Sequence, residues 1–159
     1  MILTFKERLS LFGRYEVMNE REETVFRVEG EMAMLPRRTV YDAAGRELGR
    51  IKKEFALFAP TFTIYMGGRP VGEIRKRITF MRPAFDLSMN GWRVEGNVWE
   101  FHYQLLDDAG RRVMTAEKKF LSFMDTYILD IPDPRNALMA LMVVLAIDLA
   151  KESEGHGRW

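Results

Sequence analysis

Residues 136–148 read Asn136-Ala137-Leu138-Met139-Ala140-Leu141-Met142-Val143-Val144-Leu145-Ala146-Ile147-Asp148. At 3.6 residues per turn this stretch is apolar on every side, and such a helix must be surrounded by protein or by lipid. Its unbroken part, Ala137 to Ile147, is eleven residues. A bilayer crossing takes about 20, and runs of about 10–14 are usually helices buried in a protein core. Upstream, Ile131-Pro132-Asp133-Pro134 closes the preceding element, with Asp133 suited to cap and Pro134 to the first helical position. The sequence therefore places a central helix over about 134–151 and a flexible tail over 152–159.

Everything before that helix reads as β structure. Short segments rich in Val, Ile, Phe, Tyr and Thr are cut every 8–12 residues by turn signals. Those signals are Asp42-Ala43-Ala44-Gly45, Gly67-Gly68, Asn90-Gly91 and Asp107-Asp108-Ala109-Gly110, the Asn-Gly pair being the sharpest hairpin marker. Six strands fall near 3–9, 14–19, 24–31, 37–42, 47–56 and 61–66. Six more fall near 71–79, 84–89, 92–98, 100–106, 112–121 and 126–131. Short turns make the connections antiparallel.

The chain also repeats itself. Gly45 and Gly110, and Phe55 and Phe120, lie 65 positions apart, while Val28-Glu29-Gly30 returns after 66 as Val94-Glu95-Gly96. A basic strand followed seven residues later by an aromatic recurs as Phe55 to Phe62, Ile78 to Phe85 and Phe120 to Tyr127. Two tandem halves, about 1–66 and 70–131, account for these offsets. Twelve strands strain a flat sheet, so closure is expected, and a helix through the lumen fills a barrel too wide for side chains alone. The expected fold is mostly β (α+β). It is a closed antiparallel barrel of about 12 strands around a hydrophobic C-terminal central helix, one domain over 1–151.

Composition limits the chemistry. The chain has 159 residues, 47% hydrophobic and 30% charged, with eleven Phe and eleven Met, which argues against disorder. It has no cysteine and only His102 and His156. Disulfides, thiolate metal sites and thiol nucleophiles are excluded, and a multi-histidine metal site within one chain nearly so. Phosphate-loop, dinucleotide, nucleophile-elbow and zinc-protease signatures are missing. No catalytic residue, metal ligand or cofactor is therefore assigned. His102 reads as a strand histidine. Asp107-Asp108 and Glu22-Glu23 read as turn acids. Asp148, inside an apolar helix, has to be paired or protonated if buried, and reads as a residue of the barrel mouth where the helix emerges.

The basic residues are more informative. Net charge is only +1 and acids interleave throughout, so nucleic acid is not an expected partner. Yet Lys52-Lys53, Arg75-Lys76-Arg77 and Lys118-Lys119 occupy equivalent places in the repeat. Period two puts Ile51, Lys53 and Phe55 on one strand face. It likewise sets Lys76 between Ile74 and Ile78, and Lys118 between Ala116 and Phe120. An ammonium in an apolar core is costly or loses its proton, so Lys53, Lys76 and Lys118 are expected near one barrel opening. With Lys52, Arg75 and Lys119 they read first as a solubilised surface with edge protection, and as the sharper alternative they form a candidate collar for phosphate groups such as lipid headgroups. Phe58, Phe80, Met81, Phe123 and Met124 lie just beyond these groups. They are expected to close the barrel as strand ends, with insertion into a bilayer as the alternative.

The order of these features resembles the LURP-one-related family, which includes bacterial YxjI-type proteins and shares the Tubby C-terminal-like fold. The residues that carry the likeness are the repeated Ile51-Lys52-Lys53-Glu54-Phe55 type of strand, the paired Val-Glu-Gly motifs and the final helix. In that helix Asp133-Pro134, Leu138, Ala140, Leu141, Val144, Leu145, Ala146, Ile147 and Asp148 match. The resemblance spans about Leu3 to Leu149 and implies a twelve-stranded barrel around a hydrophobic helix. It also implies kinship with proteins that act at membranes, although fold kinship alone is a weak warrant for function. Three function classes stay open: a non-enzymatic module for anionic lipid or another phosphorylated ligand, a protein-interaction scaffold, and an enzyme with a site assembled from scattered residues. No targeting signal or transmembrane segment is visible, so a cytoplasmic protein, peripheral at the membrane if it binds lipid, is expected.

Overall fold

The computed structural model describes residues 1–6, 14–31, 35–77, 84–121 and 124–155. Among these residues twelve strands precede one long helix. They are β1 (Ile2–Lys6), β2 (Tyr15–Met18), β3 (Thr24–Glu31), β4 (Arg37–Asp42), β5 (Glu47–Glu54) and β6 (Thr61–Met66). The second six are β7 (Arg69–Arg77), β8 (Ala84–Leu87), β9 (Arg93–Asn97), β10 (His102–Leu106), β11 (Arg112–Leu121) and β12 (Met124–Asp130). A short 3-10 turn, Pro134–Asn136, leads into α1 (Ala137–Gly155).

All twelve strands belong to one sheet in the order β8-β7-β6-β5-β4-β3-β2-β1-β12-β11-β10-β9, each pair antiparallel. The ends of that order, β8 and β9, adjoin each other without a ladder. The result is a nearly closed barrel with one seam. The predicted Asn-Gly turn does form at the seam: Asn90 and Gly91 have φ of 56° and 65°, and Trp92 N–H donates to the Met89 carbonyl at 3.2 Å. Its flanking strands do not pair, because Met89 and Trp92 turn into the core and are 3% and 6% exposed. Burial of two large side chains outweighs a few ladder bonds there.

Alternation decides which face is inside. Leu3, Phe5, Val17, Val28, Val40, Ile51, Phe62, Ile64, Ile74, Phe85, Ala116 and Leu129 are buried on the inner face. They enclose α1, in which every residue from Ala140 to Ile147 is buried. Asp133 starts this run as expected, its side chain accepting from Arg135 N–H. The helix continues to Gly155, so the expected tail at 152 is corrected to a helical turn. Its physical reason is Glu152, which meets the guanidinium of Arg38 on β4. Residues 156–159, with His156, lie outside the described residues.

The two Val-Glu-Gly copies need glycine for different reasons. A Cβ on Gly30 would lie 2.6 Å from Arg38 Nη1, while Gly96 has a φ of +117° and a Cβ there would lie 2.7 Å from the His102 carbonyl oxygen. Other differences are local. β5 ends at Glu54 instead of 56, leaving Phe55 exposed. β10 begins at His102 instead of residue 100, because Phe101 sits at φ 54° in the preceding turn.

Candidate functional site

Odd-numbered strands all run the same way, because every ladder is antiparallel. They therefore finish at one end of the barrel, and even-numbered strands begin there. Lys53 is one residue from the end of β5, Lys76 one from the end of β7, and Lys118 three from the end of β11. Each stands directly opposite an aromatic of the next strand, Lys53 against Phe62, Lys76 against Phe85 and Lys118 against Tyr127. Cross-strand partners share a face, and these aromatics are buried. The three lysines thus project from the inner face close to the same opening, and all three are half-buried. Their strands are spread around the rim, with β6 between β5 and β7, and β8 to β10 between β7 and β11.

Two of these ammonium groups are held by rings instead of being left in bare hydrocarbon. Lys118 Nζ lies 5.6 Å from the Tyr127 ring centre and Lys76 Nζ 5.7 Å from that of Trp99. Cation–π contact of this kind offsets part of the lost hydration. Burial pushes the Lys76 ammonium below its ordinary pKa. Trp99 belongs to the turn after β9 and is itself 45% exposed, and its carbonyl accepts from Lys151 Nζ at 3.0 Å. That bond, with the Arg38–Glu152 pair, fixes the C-terminal turns of α1 at this same mouth. Arg38 is 7% exposed.

The proposed six-residue collar is divided by the sheet. Lys52, Arg75 and Lys119 stand on the outer face, alternating with the inner lysines. Lys52 Nζ lies 5.2 Å over the Tyr65 ring, whose hydroxyl donates to Glu54 at 2.9 Å. Lys52 lines a shallow outer hollow of about 380 Å³ together with Glu47, Arg50 and Tyr65. Arg75 faces Glu73 at 3.8 Å, and Lys119 is exposed. Period-two alternation forces this split for any adjacent pair on a strand.

Below the lysines the lumen is closed by aromatics, of which the repeat marks Tyr127 while sequence reasoning missed Phe5 and Phe101. Phe5 stacks between Tyr15 at 5.3 Å and Tyr127 at 4.9 Å, and Phe101 meets Tyr127 edge-on at 4.6 Å. With Val144, Leu145 and Asp148 these rings line a cavity of about 10 Å³, room for about one water. Tyr103 is buried nearby, its hydroxyl without a hydrogen-bond partner among the described residues. Burial first, and the Asp148 carboxylate second, push its pKa well above the ordinary range. Asp148 is half-buried one turn before Glu152, near the mouth as its sequence position implied.

Other candidate acids and bases have structural work. Asp107 Oδ1 accepts from the N–H groups of Ala109 and Arg111, and Asp42 Oδ1 from those of Ala44 and Arg46. These are backbone-mimicking turns at equivalent places in the two halves. His102 is exposed on the outer face, and no group of three metal-ligating side chains occurs among the described residues. Among those residues no helix is long and apolar enough to cross a membrane, which says nothing of strands.

A family model described as LURP-one-related matches residues 1–149. The chain belongs to the LURP-one-related family. An X-ray structure of a protein from Arabidopsis thaliana is similar in fold, with 15% sequence identity and a TM-score of 0.63 over 94% of this chain and 91% of that one. No curated protein matches this chain. The LURP-one-related barrel thus accounts for the twelve strands and the central helix, while the lysines at its mouth are read from this chain's own residues.

Proposed function

We propose that this LURP-one-related domain is a non-enzymatic binding module for anionic phosphate-bearing groups, lipid headgroups or other phosphorylated ligands, taken at the lysine-bearing mouth of the barrel. The reading is supported by one observation above the rest. Lys53, Lys76 and Lys118 come from three non-adjacent strands and project from the inner face at one opening. Inner-face positions elsewhere on these strands hold Ile51, Ile74 and Ala116, all fully buried, so three cations at the rim break the pattern together. Half-buried ammonium groups keep more of their field than fully hydrated ones, and each basic residue near an anionic membrane contributes roughly 1 kcal/mol.

The turn-closing work of Asp42 and Asp107, and the outward exposure of His102, support the non-enzymatic part of this reading. Retention on vesicles tests it. The protein is expected to co-sediment with phosphatidylserine-containing vesicles, to bind neutral phosphatidylcholine much less, and to be released as salt rises. Replacing Lys53, Lys76 and Lys118 together by Gln should abolish that salt-sensitive retention while leaving the circular dichroism spectrum unchanged. Retention of the Gln variant at wild-type level would remove the reading.

A further inference from the structure

The barrel is polarised along its axis. At the end where even strands finish and odd strands begin, four described turns are polar, Asn19 to Glu23, Asp42 to Arg46, Gly67-Gly68 and Asp107 to Arg111, while the Ser88 to Trp92 connection buries its Met89 and Trp92 in the core. The Asn19, Asp42 and Asp107 turns are closed by their own side chains, including Arg46–Asp42 at 2.8 Å and Arg111–Asp107 at 3.0 Å. At the lysine end the β5–β6 connection instead reads Phe55-Ala56-Leu57-Phe58-Ala59-Pro60, without a single charge. Phe55 is 82%, Leu57 80% and Phe58 86% exposed, the highest values among the large apolar residues described. Isolated apolar residues on a surface need no explanation, but three such side chains within four positions are a patch.

Both feet of the loop are tied to the barrel wall. Its last residue, Pro60, accepts from Lys76 N–H at 2.9 Å, and the Ala59 carbonyl accepts from the Thr61 hydroxyl at 3.2 Å. At its other foot Lys53 N–H donates to the Pro36 carbonyl at 3.1 Å. Both pinning N–H groups thus belong to rim lysines. An apolar tip over a basic ring matches the layered chemistry of an anionic bilayer, where phosphate groups lie outside the acyl boundary. We propose that Phe55, Leu57 and Phe58 are an interfacial anchor that inserts into an anionic membrane while Lys53, Lys76 and Lys118 meet its headgroups. This rests on the headgroup reading above and selects a membrane surface over a free phosphorylated ligand. The anchor lies in the interface, at a depth of about 5–10 Å, and crosses nothing.

The chain has no cysteine, so Ala56→Cys introduces a unique labelling site on the loop and leaves all three anchor side chains in place. Ala43→Cys, in an exposed turn at the opposite end, is the control. Each variant carries a nitrobenzoxadiazole label and is mixed with phosphatidylcholine vesicles holding about 30% phosphatidylserine. The label on the Ala56→Cys variant should shift to the blue and be quenched by brominated acyl chains. The label on the Ala43→Cys variant should do neither. The triple variant Phe55→Ser, Leu57→Ser, Phe58→Ser should bind these vesicles at least about tenfold more weakly, with unchanged binding of water-soluble glycerophosphoserine. If wild-type protein binds the vesicles but the loop label stays unshifted, the anchor is overturned and the headgroup reading stands. If it binds glycerophosphoserine and no vesicle, the anchor is again overturned alone. If it binds neither, both fall. A serine variant that only converts a dimer into monomers, without loss of vesicle binding, makes the loop a self-interface and also overturns the anchor.

Discussion

Arg38 on β4 and Glu152 on the last turn of α1 form an ion pair across 114 residues of chain. The pair joins the barrel wall to the far end of the helix that fills it. Arg38 lies over Gly30, where a side chain would strike its guanidinium, and opposite the fully buried Ile51 on β5. A buried guanidinium deprived of its carboxylate is costly, while a pair with one half-exposed member is worth less than a fully buried one. Glu152→Gln is expected to lower unfolding free energy by about 1–2 kcal/mol. Gly30→Ala should destabilise too, and the two effects should be non-additive because both act through Arg38. Urea unfolding of the two single variants and the double variant checks this. Strict additivity would show that the pair does not hold the helix end.

The helix carries much of the core. Leu141 and Leu145 are 0% and 1% exposed and are encircled by strands. Each Leu→Ala change is expected to cost about 2–5 kcal/mol, since a barrel wall cannot collapse onto the void. Truncation before Pro134 should abolish cooperative unfolding. A truncated chain with a sharp thermal transition would contradict the placement of α1.

Stability should fall at both pH extremes through different groups. Backbone N–H bonds from Arg46 and Arg111, aided by their guanidinium groups, hold the Asp42 and Asp107 carboxyls below the usual value of 3.8. A depressed carboxyl stabilises above its unfolded pKa, and that contribution is lost as pH falls through the folded value. Tyr103 has the opposite sign. Burial raises it above 10.0, so its contribution is present below the unfolded value and disappears as pH rises through the folded one. The Asp42→Asn, Asp107→Asn double variant should have a flatter acid limb of stability against pH. Tyr103→Phe should have a flatter alkaline limb. Parallel curves for variants and wild type would refute both assignments.

Much of the fold was legible because two periods are cleanly written. The all-round apolar run 137–147 left only a lumen or a lipid bilayer as surroundings, and alternation with turn residues placed all twelve strands. The seam was not legible. Asn90-Gly91 carries a strong hairpin signal, and nothing local says that Met89 and Trp92 will be drawn inward by a core still distant in sequence. Extension of α1 past Lys151 was hidden for the same reason, since its partner Arg38 lies on β4. For the site, alternation identified Lys53, Lys76 and Lys118 as violations, and antiparallel order puts them at one end. The same alternation sets Lys52, Arg75 and Lys119 on the opposite strand face, which a single collar of all six overlooks. Phe58 was expected to close the barrel. It is instead 86% exposed, because β5 stops at Glu54 and the chain leaves the ladder before reaching it. Phe80, Met81 and Phe123 lie outside the described residues, as does the side chain of Met124.

The comparison that most directly tests the basic mouth is between two triple variants of equal charge change. One carries Lys53→Gln, Lys76→Gln and Lys118→Gln on the inner face. The other carries Lys52→Gln, Arg75→Gln and Lys119→Gln on the outer face. Both are titrated with phosphatidylserine-containing vesicles at low and at physiological salt. Binding at the mouth predicts that the inner variant loses retention and its salt dependence while the outer variant keeps most of both. Equal losses in the two variants would reduce the mouth to general surface charge and contradict the account.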